Sequence, residues 1–146
     1  MTTLFDTLPY LEAYRPALMV LAILSLMTLI QNFLTAPLAF VKEEQVPGMP
    51  LRFDHTKLSF RALRTYQNSA ESLPAFVAAL LVAIIAGSAA VVINIAAGVY
   101  LAARIAFWAF YYAGVGKIAG GPRTLSFVVC LLANIVIATA ALVALL

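Results

Sequence analysis

Four apolar stretches, at about 17–40, 58–86, 89–113 and 122–146, fill most of the chain. A bilayer core of ~30 Å takes roughly 20 helical residues to cross, so each stretch is long enough to span. Inside hydrocarbon every backbone polar group must be satisfied within the protein, and apolar runs of this length select helices. The expected fold is all-α and integral to a membrane: a four-transmembrane-helix bundle forming a single domain over residues 1–146. Only 10% of the residues are charged, against about 25% in soluble domains, so no separate soluble domain fits. Ahead of Arg15 the early charges, Asp6 and Glu12, are acidic, unlike the basic opening of a secretory signal, and the first helix is expected to be retained.

The second stretch carries polar residues that need a reason to be there. At ~100° per residue, Arg61, Arg64, Asn68 and Glu71 fall within roughly 80° of one helix face. An ionised group near the bilayer centre costs on the order of 3 kcal/mol unless paired or wetted. Pro74 follows on the same helix, where neighbours can satisfy the carbonyl it frees. In the third stretch Arg104 is the corresponding anomaly. Gly98, Ala102 and Ala106 recur there at four-residue spacing, a ridge suited to close helix approach. Trp108 and Tyr112 fit an interfacial aromatic belt. Gln31 and Asn32 on the first helix suit interhelical hydrogen bonding.

Several chemistries are excluded. The single cysteine, Cys130, rules out an internal disulfide and a cysteine cluster, and it reads as a small buried hydrophobe. His55 is the only histidine, so no histidine-paired metal site exists; beside Asp54 and Lys57 it is expected to be a solvated loop residue. There is no protein nucleophile with a base and no Gly-rich phosphate loop.

Four spans put both termini on one side, which carries Arg15. Loop 41–57 and turn 114–122, with their adjoining helix ends, carry Lys42, Arg52, Lys57, Arg61, Arg64, Lys117 and Arg123. By the positive-inside rule that face is cytoplasmic and the termini lie opposite. At ~1.5 Å per residue, Glu71 and Arg104 come out ~20 Å and ~18 Å below it, level enough to pair. Arg64 and Tyr111 come out shallower, at ~9 Å and ~8 Å, with Arg123 at the mouth. The set describes a polar crevice open to the cytoplasm and floored by an ion pair; for Arg61 alone, snorkelling is the expected role. Guanidinium groups suit carboxylates, so a small zwitterion with excess negative charge fits, and an arginine at the mouth would favour a ligand thiolate.

Arg61-x-x-Arg64-x-x-x-Asn68-x-x-Glu71-x-x-Pro74 resembles the second-helix signature of the MAPEG family, the membrane-associated proteins of eicosanoid and glutathione metabolism. Arg104-x-x-Phe107-x-x-x-Tyr111 is similar to its third-helix pattern, and Pro122-Arg123-Thr124 to the start of its fourth helix. The resemblance implies a homotrimer holding glutathione between neighbours near the cytoplasmic face. It implies that Arg64, Asn68, Glu71, Tyr111 and Thr124 hold the tripeptide, with Arg104 supporting Glu71 and Arg123 activating the thiol. A lipophilic electrophile or hydroperoxide would approach from the bilayer. The sequence departs from the family pattern at Phe107, where a polar aromatic or histidine is frequent, and at Phe127, where one branch has tyrosine. Lys42 is the nearest candidate for the basic residue near the end of helix one.

Two functions follow. The first is a glutathione-dependent transferase or peroxidase; the second is a non-catalytic lipid-binding or scaffold protein of the same fold, favoured by the missing polar contacts. A small transporter or assembly subunit with a proton-coupled Glu71 is a third.

Overall fold

The computed structural model describes residues 4–42, 54–116 and 120–146. A short helix α1 (Leu4–Thr7) and a 3-10 turn (Pro9–Tyr14) lead into α2 (Arg15–Lys42), followed by α3 (Leu58–Ile85), α4 (Ala90–Tyr112) and α5 (Gly121–Leu145). Among the described residues four helices are long and apolar enough to cross a membrane, as expected. Most of their surface is outward-facing Leu, Ile, Val and Phe, which suits hydrocarbon rather than water.

Helix α4 is the axis of the bundle and packs against α2, α3 and α5. Its buried residues, Ile93, Ala96, Ala97, Tyr100, Ala103, Arg104, Phe107, Trp108 and Tyr111, follow the three-and-four spacing of one helix face. Alanines at alternate turns let neighbouring helices come close, while Tyr100 stacks on Phe76 of α3 with ring centroids 4.2 Å apart. Cys130 is buried in this core, on α5.

Two readings of α4 are corrected. Within one copy the ridge of Gly98, Ala102 and Ala106 makes no close helix approach: Gly98 and Ala102 are exposed, Ala106 is half-buried, and a β-carbon on Gly98 would touch nothing. An all-round apolar helix gives no periodic signal to tell its inward face from its outward one. Trp108 is not a belt residue either. It is buried, and its Nε1 donates to Ser69 Oγ of α3 at 2.9 Å.

The polar pins sit at both ends. At the end that carries the termini, Tyr14 Oη donates to the Ser88 carbonyl, Ser88 Oγ donates to the Ala140 carbonyl, and Asn94 bridges the 3-10 turn and α2. Residues 4–14 thus form a largely helical plug fastened to the α3–α4 turn and to α4. At the opposite end Gln31 Nε2 donates to Tyr112 Oη at 2.9 Å, joining α2 to α4, whereas Asn32 is exposed.

Candidate functional site

The turn entering α3 is built by Asp54. Its Oδ1 accepts from the Thr56 amide at 2.9 Å and the Thr56 hydroxyl at 2.6 Å, and its carbonyl accepts from the Lys57 amide. These bonds favour the ionised carboxylate and hold the Asp54 carboxyl below its usual range. Arg61, one turn into α3, then clamps the entry. Its Nη1 donates to the His55 and Thr56 carbonyls at 2.9 and 2.8 Å, and its Nε reaches the Tyr112 carbonyl at 3.3 Å. Arg61 therefore ties a loop to two helices instead of snorkelling. The chain leaves α4 through Gly114 at φ +68°, where an added β-carbon would lie 3.4 Å from Arg61 Cζ. Only glycine takes that conformation without strain.

This clamp places His55 over the end of the bundle. A crevice of about 270 Å³ opens there, lined by His55, Phe60, Arg64, Asn68, Phe107, Tyr111 and Arg123. Four expected site residues, Arg64, Asn68, Tyr111 and Arg123, thus come together from α3, α4 and α5. The Arg123 guanidinium lies 4.6 Å from the centroid of the Tyr111 ring, a cation–π arrangement that fixes the charge at the wall. The His55 ring meets Phe60 edge-on, centroids 4.8 Å apart, and lies 6.0 Å from Tyr111. His55 is thus a wall residue and not a solvated one. Burial lowers its pKa below the usual histidine value; Arg123, and less strongly Arg61 and Arg64, act in the same direction, with Asp54 opposing.

The floor differs from expectation. Arg104 is only 2% exposed, yet it does not meet Glu71. Its Nη1 donates to Asn68 Oδ1 at 2.7 Å and its Nη2 to the Asn68 carbonyl at 3.0 Å. Its guanidinium also lies 5.8 Å and 5.5 Å from the Tyr100 and Phe107 ring centroids. Two charge-assisted hydrogen bonds and two π-faces replace the carboxylate. Glu71 is exposed instead, and its Oε1 lies 3.3 Å from Arg64 Nη1, two turns back along α3. Depth along a helix carries no azimuth. Asn68 lies one turn nearer the mouth than Glu71, on the side of α3 that meets α4, whereas Glu71 points outward.

Thr124 does not line the crevice. Its Oγ1 accepts from the Gly120 amide at 3.0 Å, closing the first turn of α5. The side chain of Lys42 and most of loop 41–57 lie outside the described residues.

A second, smaller cavity of about 110 Å³ adjoins the same pair. Arg104 lines it with Ser72, Tyr100, Phe127, Cys130 and Asn134. The Asn68–Arg104 bond therefore joins the walls of two cavities. Tyr100 Oη and Asn134 Oδ1 are buried and have no hydrogen-bond partner among the described residues. No group of three or more metal-ligating side chains occurs among the described residues.

What the crevice can do follows from its charges. Arg64 and Arg123 offer planar paired donors for a carboxylate or thiolate, Asn68 and Tyr111 add neutral polar contacts, and Phe60 and Phe107 supply apolar wall. A search of curated proteins returns no matching sequence. The MAPEG family model, however, matches residues 16–143, nearly the whole chain. Motif spacing, spanning helices and that match agree: the chain belongs to the MAPEG family and is a multi-pass integral membrane protein.

Proposed function

We propose that the protein is a glutathione-dependent transferase or peroxidase acting on lipophilic electrophiles or hydroperoxides. The observation that carries the reading is the convergence of Arg64, Asn68, Tyr111 and Arg123 from three helices on one crevice. The tripeptide supplies the thiol. Arg123 stabilises the thiolate by charge, and the ionised sulfur is the nucleophile. Arg64 and Asn68 hold the carboxylates and amides of the peptide. Arg104 acts through Asn68, fixing the orientation of its side-chain amide.

The crevice end is read as cytoplasmic from its basic residues, with the termini opposite. A homotrimer, the assembly the family resemblance implies, would account for Glu71. Its side chain is 61% exposed in the middle of a membrane-spanning helix, a placement that is costly against lipid. A second copy packed over α3 would cover it and bring it to the bound peptide, whose ammonium it suits.

The test is conjugation of a generic aromatic electrophile by detergent-purified protein, with Arg123→Ala for comparison. The variant should keep glutathione binding within a few-fold while losing most of the rate at neutral pH. Equal rates would remove Arg123 from the chemistry.

One observation favours a non-catalytic lipid-binding role. Phe107 and Phe60 make much of the crevice wall apolar, and a further apolar groove of about 420 Å³ runs between α4 and α5. Calorimetry discriminates: fatty-acid binding without glutathione binding would favour this second role.

A further inference from the structure

His55 was absent from every site expectation, yet it forms part of the crevice wall. Its position is fixed by more than loop packing. Arg61 holds its carbonyl, the Asp54 turn fixes the residue before it, and its ring is set against Phe60 and Tyr111. The Tyr111 ring also carries Arg123, so the imidazole and that guanidinium are set on one aromatic platform.

We propose that His55 couples ligand binding to proton binding: when an anionic peptide fills the crevice, the imidazole takes up a proton, so ligand and proton bind together. The proposal rests on the reading of the crevice as a glutathione site and adds a specificity residue to it.

The argument is electrostatic and geometric. The described charged and titratable groups around His55 are Asp54 on its own segment, Arg61 and Arg64 on α3, Tyr111 on α4 and Arg123 on α5. Three guanidinium groups outweigh Asp54 even with Glu71 beside Arg64, so the crevice without ligand opposes a further positive charge. Burial of the ring acts in the same direction. Glutathione brings two carboxylates and one ammonium, a net negative charge. Placed against Arg64 and Arg123, it offsets the charges that held the imidazole neutral. An imidazolium also offers two N–H donors where neutral imidazole offers one.

Linkage fixes the sign. If ligand raises the proton affinity of His55, protons raise the affinity for ligand by the same factor. Affinity is then highest below the ligand-free pKa and falls as pH rises through the ligand-bound pKa. A shift of about one unit gives about a tenfold difference in Kd between those limits. Below the ligand-bound pKa the crevice would therefore select peptides with net negative charge over neutral analogues.

The experiment uses tag-free protein in detergent and S-methylglutathione, which has no thiol proton to release. Calorimetry at about pH 6, where histidine titrates, is run in two buffers of different ionisation enthalpy. Wild type should take up a fraction of a proton per ligand, and its Kd should weaken about tenfold from ~pH 5.5 to ~pH 8. His55→Gln should bind with no uptake in this range and a flat pH profile. His55 is the only histidine in the chain, so its imidazole resonance in wild type reports the same event without any variant, its midpoint moving up on ligand addition. Binding with an unmoved midpoint, or equal proton uptake in wild type and His55→Gln, overturns the coupling and leaves the crevice reading intact. Absence of binding across the pH range overturns both.

Discussion

Asn68→Leu and Glu71→Gln, made separately, should differ sharply in their effect on stability. Leucine at 68 keeps the branched four-heavy-atom shape and favours helix more than asparagine, but removes the acceptor that lies 2.7 Å from Arg104 Nη1. A hydrogen bond to a charged group contributes about 1.5–3 kcal/mol, and Arg104 is only 2% exposed. The bond to the Asn68 carbonyl survives because it is made to the backbone. The expected loss is therefore about 2–3 kcal/mol, below the ~3–5 kcal/mol of a buried charge left wholly unpaired. Glu71→Gln removes only a 3.3 Å contact between side chains 40% and 61% exposed. The pair is long, and glutamine keeps an amide oxygen that can still accept from Arg64, so the loss should be at most about 1 kcal/mol. Unfolding of detergent-solubilised protein by denaturing detergent, followed by circular dichroism, reads both. The cycle is completed with Arg104→Leu, which should cost less in the Asn68→Leu background than in wild type, because there it removes a buried charge that has already lost a partner. Glu71→Gln costing as much as Asn68→Leu, or coupling to Arg104→Leu by more than about 1 kcal/mol, would refute the reasoning and restore the carboxylate as the partner.

Three further outcomes are expected. Tyr100→Phe should be neutral or stabilising by up to about 1 kcal/mol in the same unfolding assay, since the hydroxyl it removes is buried without a described partner; a loss above that shows the hydroxyl is satisfied. Gly114→Ala should destabilise by about 1–2 kcal/mol, from the left-handed backbone at φ +68° and the crowding against Arg61, and thermal melts of the purified variant check it. In ligand-free protein, stability should decline as pH falls through the His55 range. The depressed pKa means the unfolded chain binds more protons there, so its contribution is complete above the unfolded pKa of ~6.5 and is lost below it. His55→Gln should flatten that slope between about pH 7 and pH 5 in a pH series of melts.

The fold class was legible because length and hydropathy act residue by residue and need no partner. The second-helix motif was legible for a related reason: Arg64 and Asn68 are one turn apart, so spacing alone puts them near one another. The floor was not. Two residues at equal depth on different helices can face toward or away from each other, and Arg104 chose the asparagine while Glu71 turned outward. Apolar helices also hide their inward face, which is why Trp108 and the Gly98 ridge were misjudged. His55 and Arg61 lay beyond reach for a third reason. Their roles come from backbone carbonyls and a loop path, which no side-chain pattern records. The Asp54-x-Thr56 turn before α3 was the available signal, since it fixes where the loop must fold back.

Holding Arg104 with an amide and two rings has an effect that a carboxylate would have cancelled. Dipoles and quadrupoles steady a cation but leave its full unit of charge in place, so the bundle interior remains electropositive. Counter-ions in the surrounding solution cannot follow it into a site only 2% exposed, and dissolved salt screens such a charge poorly. Part of the attraction for an incoming anion should therefore persist in brine, where arginines at a protein's rim fall silent.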